Sequence, residues 1–307
     1  MRISICIITY RRPRWLTECL RSLARLIVGS DVDVSIVVVD NDAEGASRDL
    51  VSEARGWCPF PLVYEIEAER GISFARNRAV HVATARGADF VAFLDDDEMA
   101  DRDWLDRLVA TQRRYAADVV AGPVLPSYDP GVPKWAIRGR FFERPRHATG
   151  TRLAATRSGN CLIDTRLFAG DPAPFDPKFA LSGGSDSHFF KRVHRDGASI
   201  VWADDAIVRE HVPASRATVR WVLQRAYRGG ACFAVSERMD HRSRGWISIR
   251  LFTGAARSML GLLLLLPSVA LGKAGVVRAL QFAFVGVGLL SGFWGVLYRE
   301  YSVVHGE

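Results

Sequence analysis

The stretch FVAFLDDDE at residues 90–98 limits what this chain can fold into more than any other. Five apolar or small residues run without polar alternation into three consecutive aspartates, Asp95, Asp96 and Asp97. Such a run reads as a strand buried on both faces. Three like charges at its end repel one another and lose hydration, so the arrangement is costly without a positive partner. A divalent cation meets that need, and hard carboxylate oxygens select Mg²⁺ or Mn²⁺. The competing reading is that the aspartates cap the next helix and are otherwise solvated.

The segments before it carry the same pattern. Residues 3–8 (ISICII) read as a buried strand ending in Thr9, Tyr10, Arg11 and Arg12. Pro13 then suits the first turn of a helix, along which Trp15, Leu16, Cys19, Leu20, Leu23 and Leu26 recur at helical spacing. Residues 34–39 (VSIVVV) form a second strand, ending in Asp40, Asn41 and Asp42, and a polar helix is expected over 45–55. A weaker strand over 62–66 leads to a helix over 71–85 with Arg76 and Asn77 in its second turn. After the strand at 90–94 come a helix over 101–114 and a strand over 119–121. The alternation predicts an α/β fold with a mostly parallel, doubly wound sheet. Ligands of such sheets bind beyond the carboxyl ends of the strands. Thr9, Tyr10, Asp40 and the aspartate triplet therefore converge on one rim. No GxGxxG follows the first strand and no GxxxxGKS occurs, which argues against a dinucleotide dehydrogenase and a P-loop ATPase.

Residues 123–158 break the alternation and are rich in Pro, Gly, Arg and aromatics, including Trp135. They read as a long functional loop or a variable surface insertion. A strand over 158–163 follows, then the segment LSGGSD at 181–186. Asp186 opens a helix that Ser185 is placed to cap, and an acid in a first turn also suits the helix dipole. Late strands are expected at 200–203 and 206–208, with His211 after the second. The five cysteines form no CxxC pair and read as reduced thiols in a cytosolic setting. The chain enters its first strand directly, with no signal peptide expected.

The net charge of +7 is uneven. Residues 206–250 hold nine arginines against three acids. Such a belt suits nucleic acid, anionic lipid or phosphorylated substrates. The strongly apolar residues 247–304 that follow point to lipid rather than nucleic acid. Residues 258–272 are short for a bilayer span and 274–297 are longer but contain Arg278. Arg250 and Arg257 precede these stretches and Arg299 follows them. A spanning hairpin, two helices lying in the interface and a buried helical pair all fit; membrane attachment is preferred because GLLLLL has no polar face.

Taken together, ITYRRP at residues 8–13, VVDNDAE at 38–44, GISFARN at 71–77, FLDDDE at 93–98, GN at 159–160 and GGSD at 183–186 resemble the family-2 glycosyltransferases of the GT-A fold, a Rossmann-like, mostly parallel twisted sheet flanked by helices. The likeness is to bacterial exopolysaccharide enzymes of the succinoglycan type and covers about residues 1–230. It implies that Thr9, Tyr10, Arg12 and Asp40 hold the nucleoside, that Arg76 and Asn77 lie near the diphosphate, and that Asp95 and Asp96 contact the sugar nucleotide. Asp97 and Asp95 match the DxD pair that holds Mg²⁺ or Mn²⁺, with His211 a further candidate ligand. Asp186 matches the catalytic base. Trp135, Asn160 and Ser185 are assigned to the acceptor side, and Ser185 stands where the family usually has Glu. The processive QxxRW signature is absent, so single additions are expected.

The implied activity is inverting transfer from a UDP-sugar, such as UDP-glucose, to a polyprenyl-diphosphate-linked or glycan acceptor. Its setting would be exopolysaccharide synthesis at the cytoplasmic face of the bacterial inner membrane. The chemistry is coherent: a cation stabilises a diphosphate leaving group, and an alcohol acceptor needs a carboxylate to take its proton. The implied organisation is a catalytic domain over 1–235, with a nucleotide-sugar half at 1–122 and an acceptor half at 123–235, and membrane-associated helices over 236–307. A nucleotidyltransferase would normally carry a Gly-rich loop after the first strand, absent here. A non-catalytic membrane scaffold would need none of the acids.

Overall fold

The computed structural model describes residues 1–240 and 243–296. Arg242, Leu297 and Arg299, which entered the membrane expectation, lie outside the described residues.

The first half follows the alternation. The elements are β1 (Arg2–Thr9), α1 (Pro13–Leu23), β2 (Asp33–Asp40), α2 (Arg48–Ala54), β3 (Leu62–Ile66), α3 (Ile72–Ala85) and β4 (Phe90–Asp95). β5 (Glu98–Ala100), α4 (Trp104–Tyr115) and β6 (Val119–Ala121) follow. The apolar runs are buried on both faces: Ile3, Ile5 and Ile7 face the cluster with Leu16, Leu20 and Trp104. Cys6, Val37, Val39, Val91 and Phe93 face the cluster with Ala75, Ala79 and Phe189. This explains why these strands show no polar alternation.

Residues 123–158 are not one irregular loop. They contain β7 (Val124–Tyr128) and α5 (Lys134–Arg138). The remaining elements are β8 (Cys161–Asp164), α6 (Ser185–Arg195), β9 (Ile200–Trp202), β10 (Val208–Val212), α7 (Val219–Asp240), α8 (Arg244–Leu263), α9 (Leu265–Ser268) and α10 (Gly272–Phe293). Seven strands form one sheet in the order β3-β2-β1-β4-β8-β6-β9. All neighbours run parallel except β8, which is antiparallel to both β4 and β6. A second sheet, β5-β10-β7, covers the rim beyond β4.

The expected boundary at 235/236 falls inside α7, which crosses it without a break. Small residues hold α7 to α10 too closely for separate units. A Cβ on Gly288 would fall 2.1 Å from the Tyr227 carbonyl oxygen, and one on Gly292 2.5 Å from that of Ala231. α10 also reaches back to α5: Arg278 donates to the Gly139 carbonyl and Lys273 sits over the Trp135 ring at 5.1 Å. Residues Leu265–Phe293 form the one helical stretch among the described residues long and apolar enough to cross a membrane. Of the three readings left open for this end of the chain, a hairpin of two spans is not met by length and composition: there is a single candidate, packed on α7 and α8.

Candidate active site

A cavity of about 610 Å³ opens beyond the carboxyl ends of β1 and β4, the rim expected for a parallel sheet. Asp95, Asp96, Asp97 and Asp186 all line it, with Thr9, Tyr10, Arg12 and Arg76.

The triplet divides its labour. Asp96 is a staple: it accepts from Thr9 Oγ1 at 2.9 Å and Arg12 at 2.9 Å, tying the end of β4 to the end of β1. Asp97 accepts from Arg216 at 2.8 Å, with Arg12 3.6 Å away. Burial raises the Asp97 pKa, but Arg216 and then Arg12 outweigh it and hold the carboxyl below its usual range. Asp95 receives no hydrogen bond at its carboxylate from the described residues, and its pKa is pushed up to about 6 by burial, with Asp97 and Asp96 adding to it against Arg76. Beneath it Glu98 is fully buried, one oxygen accepting the Asp95 N–H at 2.9 Å and the other unpartnered. Burial and then Asp95 raise the Glu98 pKa well above the carboxylate range.

This excess of acid fits a divalent cation. Asp95 and Asp97 offer hard oxygens on one turn facing the cavity, and Asp95 is short of positive charge. Among the described residues no three His, Cys, Asp or Glu side chains converge on one point. A bound ligand's own oxygens would therefore have to complete the coordination.

Asp186 sits in the first turn of α6. Gly183 and Gly184 approach it with φ of 75° and 99°, a left-handed backbone that favours glycine. The expected Ser185 cap does not form: Gly184 is the N-cap, and the fully buried Ser185 Oγ instead accepts from Arg76 at 3.3 Å. Asp186 takes the N–H of Ser187 at 2.8 Å and of Ser158 at 3.4 Å. Burial raises its pKa, but Arg76, these amides and Arg157 bring it below the normal value. The carboxylate is ionised at neutral pH and held next to the cavity.

Several residues expected in the site do other work. Asp40 is fully buried and accepts from the Ser47 N–H, the Asp42 N–H and the Tyr64 hydroxyl, so its oxygens shape the turn after β2 rather than face the cavity. Asn77 exchanges hydrogen bonds with the backbone of Phe175 at 2.9 and 3.0 Å. Asn160, also fully buried, accepts from the Trp104 indole and donates to the carbonyls of Pro123 and Ala206. Its neighbour Gly159 leaves room for the acids, since a Cβ there would fall 2.7 Å from Glu98 Oε1. Trp135 packs on Phe141, away from the cavity lining. The His211 ring lies between Glu18 at 2.7 Å and Asp129 at 3.3 Å and stacks on Trp15. Only its backbone N–H touches the triplet, at the Asp97 carbonyl.

The arginine belt also differs from expectation. Arg216, Arg225 and Arg228 line the cavity, while Arg209 pairs with Asp101 and Arg250 with Glu237. Outside the belt, Arg70, Arg144 and Arg157 join the lining. Arg144 binds Glu210 at 2.5 Å, and Arg70 lies over the Tyr10 ring at 3.5 Å. Nothing in the spacing of these arginines separates the ones that turn inward.

A three-layer α/β sheet, an acidic turn at its β4 rim and a carboxylate opposite define a glycosyltransferase of the GT-A fold. The chain belongs to glycosyl transferase family 2, whose model matches residues 4–169. It is 35% identical over 294 residues to the succinoglycan biosynthesis protein ExoM of Rhizobium meliloti (strain 1021), covering 94% of this chain and 93% of that one. It is 27% identical to the glycosyltransferase AglE of Haloferax volcanii over 67% of this chain and 65% of AglE. The crystal structure of S. aureus TarS residues 1–349 superposes with a TM-score of 0.55 at 20% identity, covering 97% of this chain and 93% of that one. TarS has also been crystallised with UDP and, at a TM-score of 0.52, with UDP-GlcNAc. Family membership removes the nucleotidyltransferase alternative.

Proposed function

We propose that this protein transfers a hexose from a UDP-sugar, with inversion and one residue at a time, to a lipid-linked or glycan acceptor in bacterial exopolysaccharide synthesis. The observation that carries the proposal is the presence in one cavity of two separate acidic sites, the Asp95–Asp97 turn and Asp186. Likeness to a succinoglycan biosynthesis protein across nearly the whole chain supports the polysaccharide setting.

Tyr10 under Arg70 offers a stacking face for the uracil base. Arg12, Arg76 and Arg216 present guanidinium groups around the acidic turn and would hold the diphosphate. Asp95 and Asp97 would hold Mg²⁺ or Mn²⁺, which stabilises charge on a diphosphate leaving group when bound. Asp186 accepts the proton of the acceptor hydroxyl as its oxygen bonds to the anomeric carbon. The UDP–sugar bond breaks on the opposite face, and UDP leaves with the bonding electron pair. The exposed apolar side chains of α8 to α10, including Leu263, Leu266 and Leu271 at 70%, 84% and 76% exposure, support attachment to the cytoplasmic face of the inner membrane.

Product analysis tests the proposal. An α-linked UDP-sugar should give a β-glycoside by NMR, one sugar per acceptor, and chelation should weaken UDP binding. An α-configured product would overturn the single displacement.

A further inference from the structure

The cavity has a second cationic pole that a sugar nucleotide does not account for. Nine basic and five acidic side chains line it, an excess of four positive charges. A diphosphate dianion and a divalent cation cancel, so loading the donor leaves that excess in place. Arg12, Arg76 and Arg216 already bind Asp96, Ser185 and Asp97, and Arg144 binds Glu210. The guanidinium groups of Arg157 and Arg225 donate no hydrogen bond to any described residue; that of Arg225 rests on the Trp221 ring at 5.0 Å.

Their placement is informative. Arg157 immediately precedes Ser158, whose N–H binds Asp186. Arg225 and Arg228 lie three residues apart on one face of α7. The other face of that helix, at Tyr227, Ala231 and Ala234, packs on Gly288 and Gly292 of the apolar α10. Burial lowers the pKa of Arg225 to about 10, with Arg144, Arg228 and Arg157 adding to it against Glu210. Arg157, by contrast, is solvent-exposed at the cavity lining. Both remain cationic at neutral pH, so the group that would relieve them is an anion.

We propose that Arg157, Arg225 and Arg228 form a second anion site that takes the phosphate groups of the acceptor, a prenyl diphosphate bearing a short glycan. The site lies beside Asp186, on a helix whose far face joins the apolar helices. This deepens the reading above, since it takes the donor to occupy the Asp95–Asp97 side.

The test is calorimetry on the full-length protein in detergent micelles. The probes are geranylgeranyl diphosphate, geranylgeraniol and inorganic pyrophosphate, each with and without saturating UDP and Mg²⁺. The prenyl diphosphate should bind the UDP-loaded protein more tightly than the alcohol or pyrophosphate. Arg157→Gln and Arg225→Gln should each weaken that binding about tenfold, the usual worth of one hydrogen bond to a charged group. UDP affinity should hold, which also reports that the variants fold, and Arg225→Lys should recover part of the loss. Competition between prenyl diphosphate and UDP, or loss of UDP affinity with prenyl diphosphate affinity intact, would assign these arginines to the donor and overturn the proposal. Pyrophosphate binding as tightly as the prenyl diphosphate would mean a free-phosphate site and overturn it too, as would no binding of the prenyl diphosphate. Wild-type protein that binds prenyl diphosphate but not UDP would instead overturn the donor assignment and leave this site standing.

Discussion

Asp95 is held in a state that suits a ligand better than the empty fold. Its pKa is about 6 against an ordinary 3.8, raised first by burial. A carboxyl whose folded pKa lies above its unfolded value stabilises the fold most below the unfolded pKa, and loses that contribution as pH rises through the folded one. At pH 7.5 Asp95 is therefore ionised at a net cost. Asp95→Asn should make the ligand-free protein more stable at pH 7.5, by on the order of 1–3 kcal/mol. The gain should shrink by pH 5, and stabilisation by Mg²⁺ with UDP should disappear. Thermal melts at the two pH values check this; a less stable variant at pH 7.5 would contradict it. The signs reverse for Asp97 and Asp186, whose pKa values are lowered. Their contributions are present above the unfolded pKa and are lost only as pH falls through the folded one. Metal-dependent UDP affinity should thus fall on the acid side near pH 6, following Asp95. A fall centred below pH 4 would point to Asp97 or Asp186 instead.

At the scale of elements, the decisive contact is α7 against α10, because α7 carries cavity arginines on one face and packs through small residues on the other. Gly288→Val would push a side chain into the Tyr227 carbonyl 2.1 Å away and force the helices apart. The expected loss is about 1–3 kcal/mol, with transfer falling while Mg²⁺–UDP binding changes less, since the carboxylates proposed to hold the donor lie at the end of β4 and just after it. Denaturant melts and parallel UDP titrations check both parts. These contacts also mark how much was legible in the sequence. The elements from β1 to β6 other than β5, and the convergence of Thr9 and Asp95 to Asp97, were readable, because buried parallel strands need continuous apolar runs and ligand groups at their ends; β5 was not, since its three residues pair with the distant β10. β8 was placed near its position, but its antiparallel direction was not readable, since a short apolar run carries no direction. Asp40 and Asn160, expected at ligand contacts, and His211, a candidate ligand, make turn and packing contacts instead, and one reason covers all three. A polar residue at a strand end looks the same whether it faces a cavity or closes a turn. Only tertiary neighbours, such as Tyr64 for Asp40 and Glu18 for His211, decide between them.

For the molecule as a whole, the apolar helices stack outward from the face of α7 that lies away from the cavity arginines, α10 on α7 and α8 on α10. Leu266 at 84% and Leu263 at 70% exposure are too apolar for water in such numbers and suit the acyl boundary of a bilayer. The full-length protein should co-sediment with vesicles containing anionic lipid. The double substitution Leu263→Glu with Leu266→Glu should lower partitioning at least tenfold, given about 1.5–3 kcal/mol for each large apolar side chain removed from the membrane. Unchanged partitioning would place the contact elsewhere. Deleting α8 to α10 is a poor alternative probe, because it would strip the packed face of α7 and disturb the cavity as well.

In the mechanism proposed above, Asp186 takes the acceptor proton while the Asp95–Asp97 turn holds the donor. Asp186→Asn keeps the side-chain size and removes the basicity. The most direct measurement is single-turnover sugar transfer by this variant, with UDP affinity determined on the same preparation. Turnover should fall by about 10²- to 10⁴-fold with UDP affinity unchanged; a variant that transfers sugar at near wild-type rate would contradict the assignment.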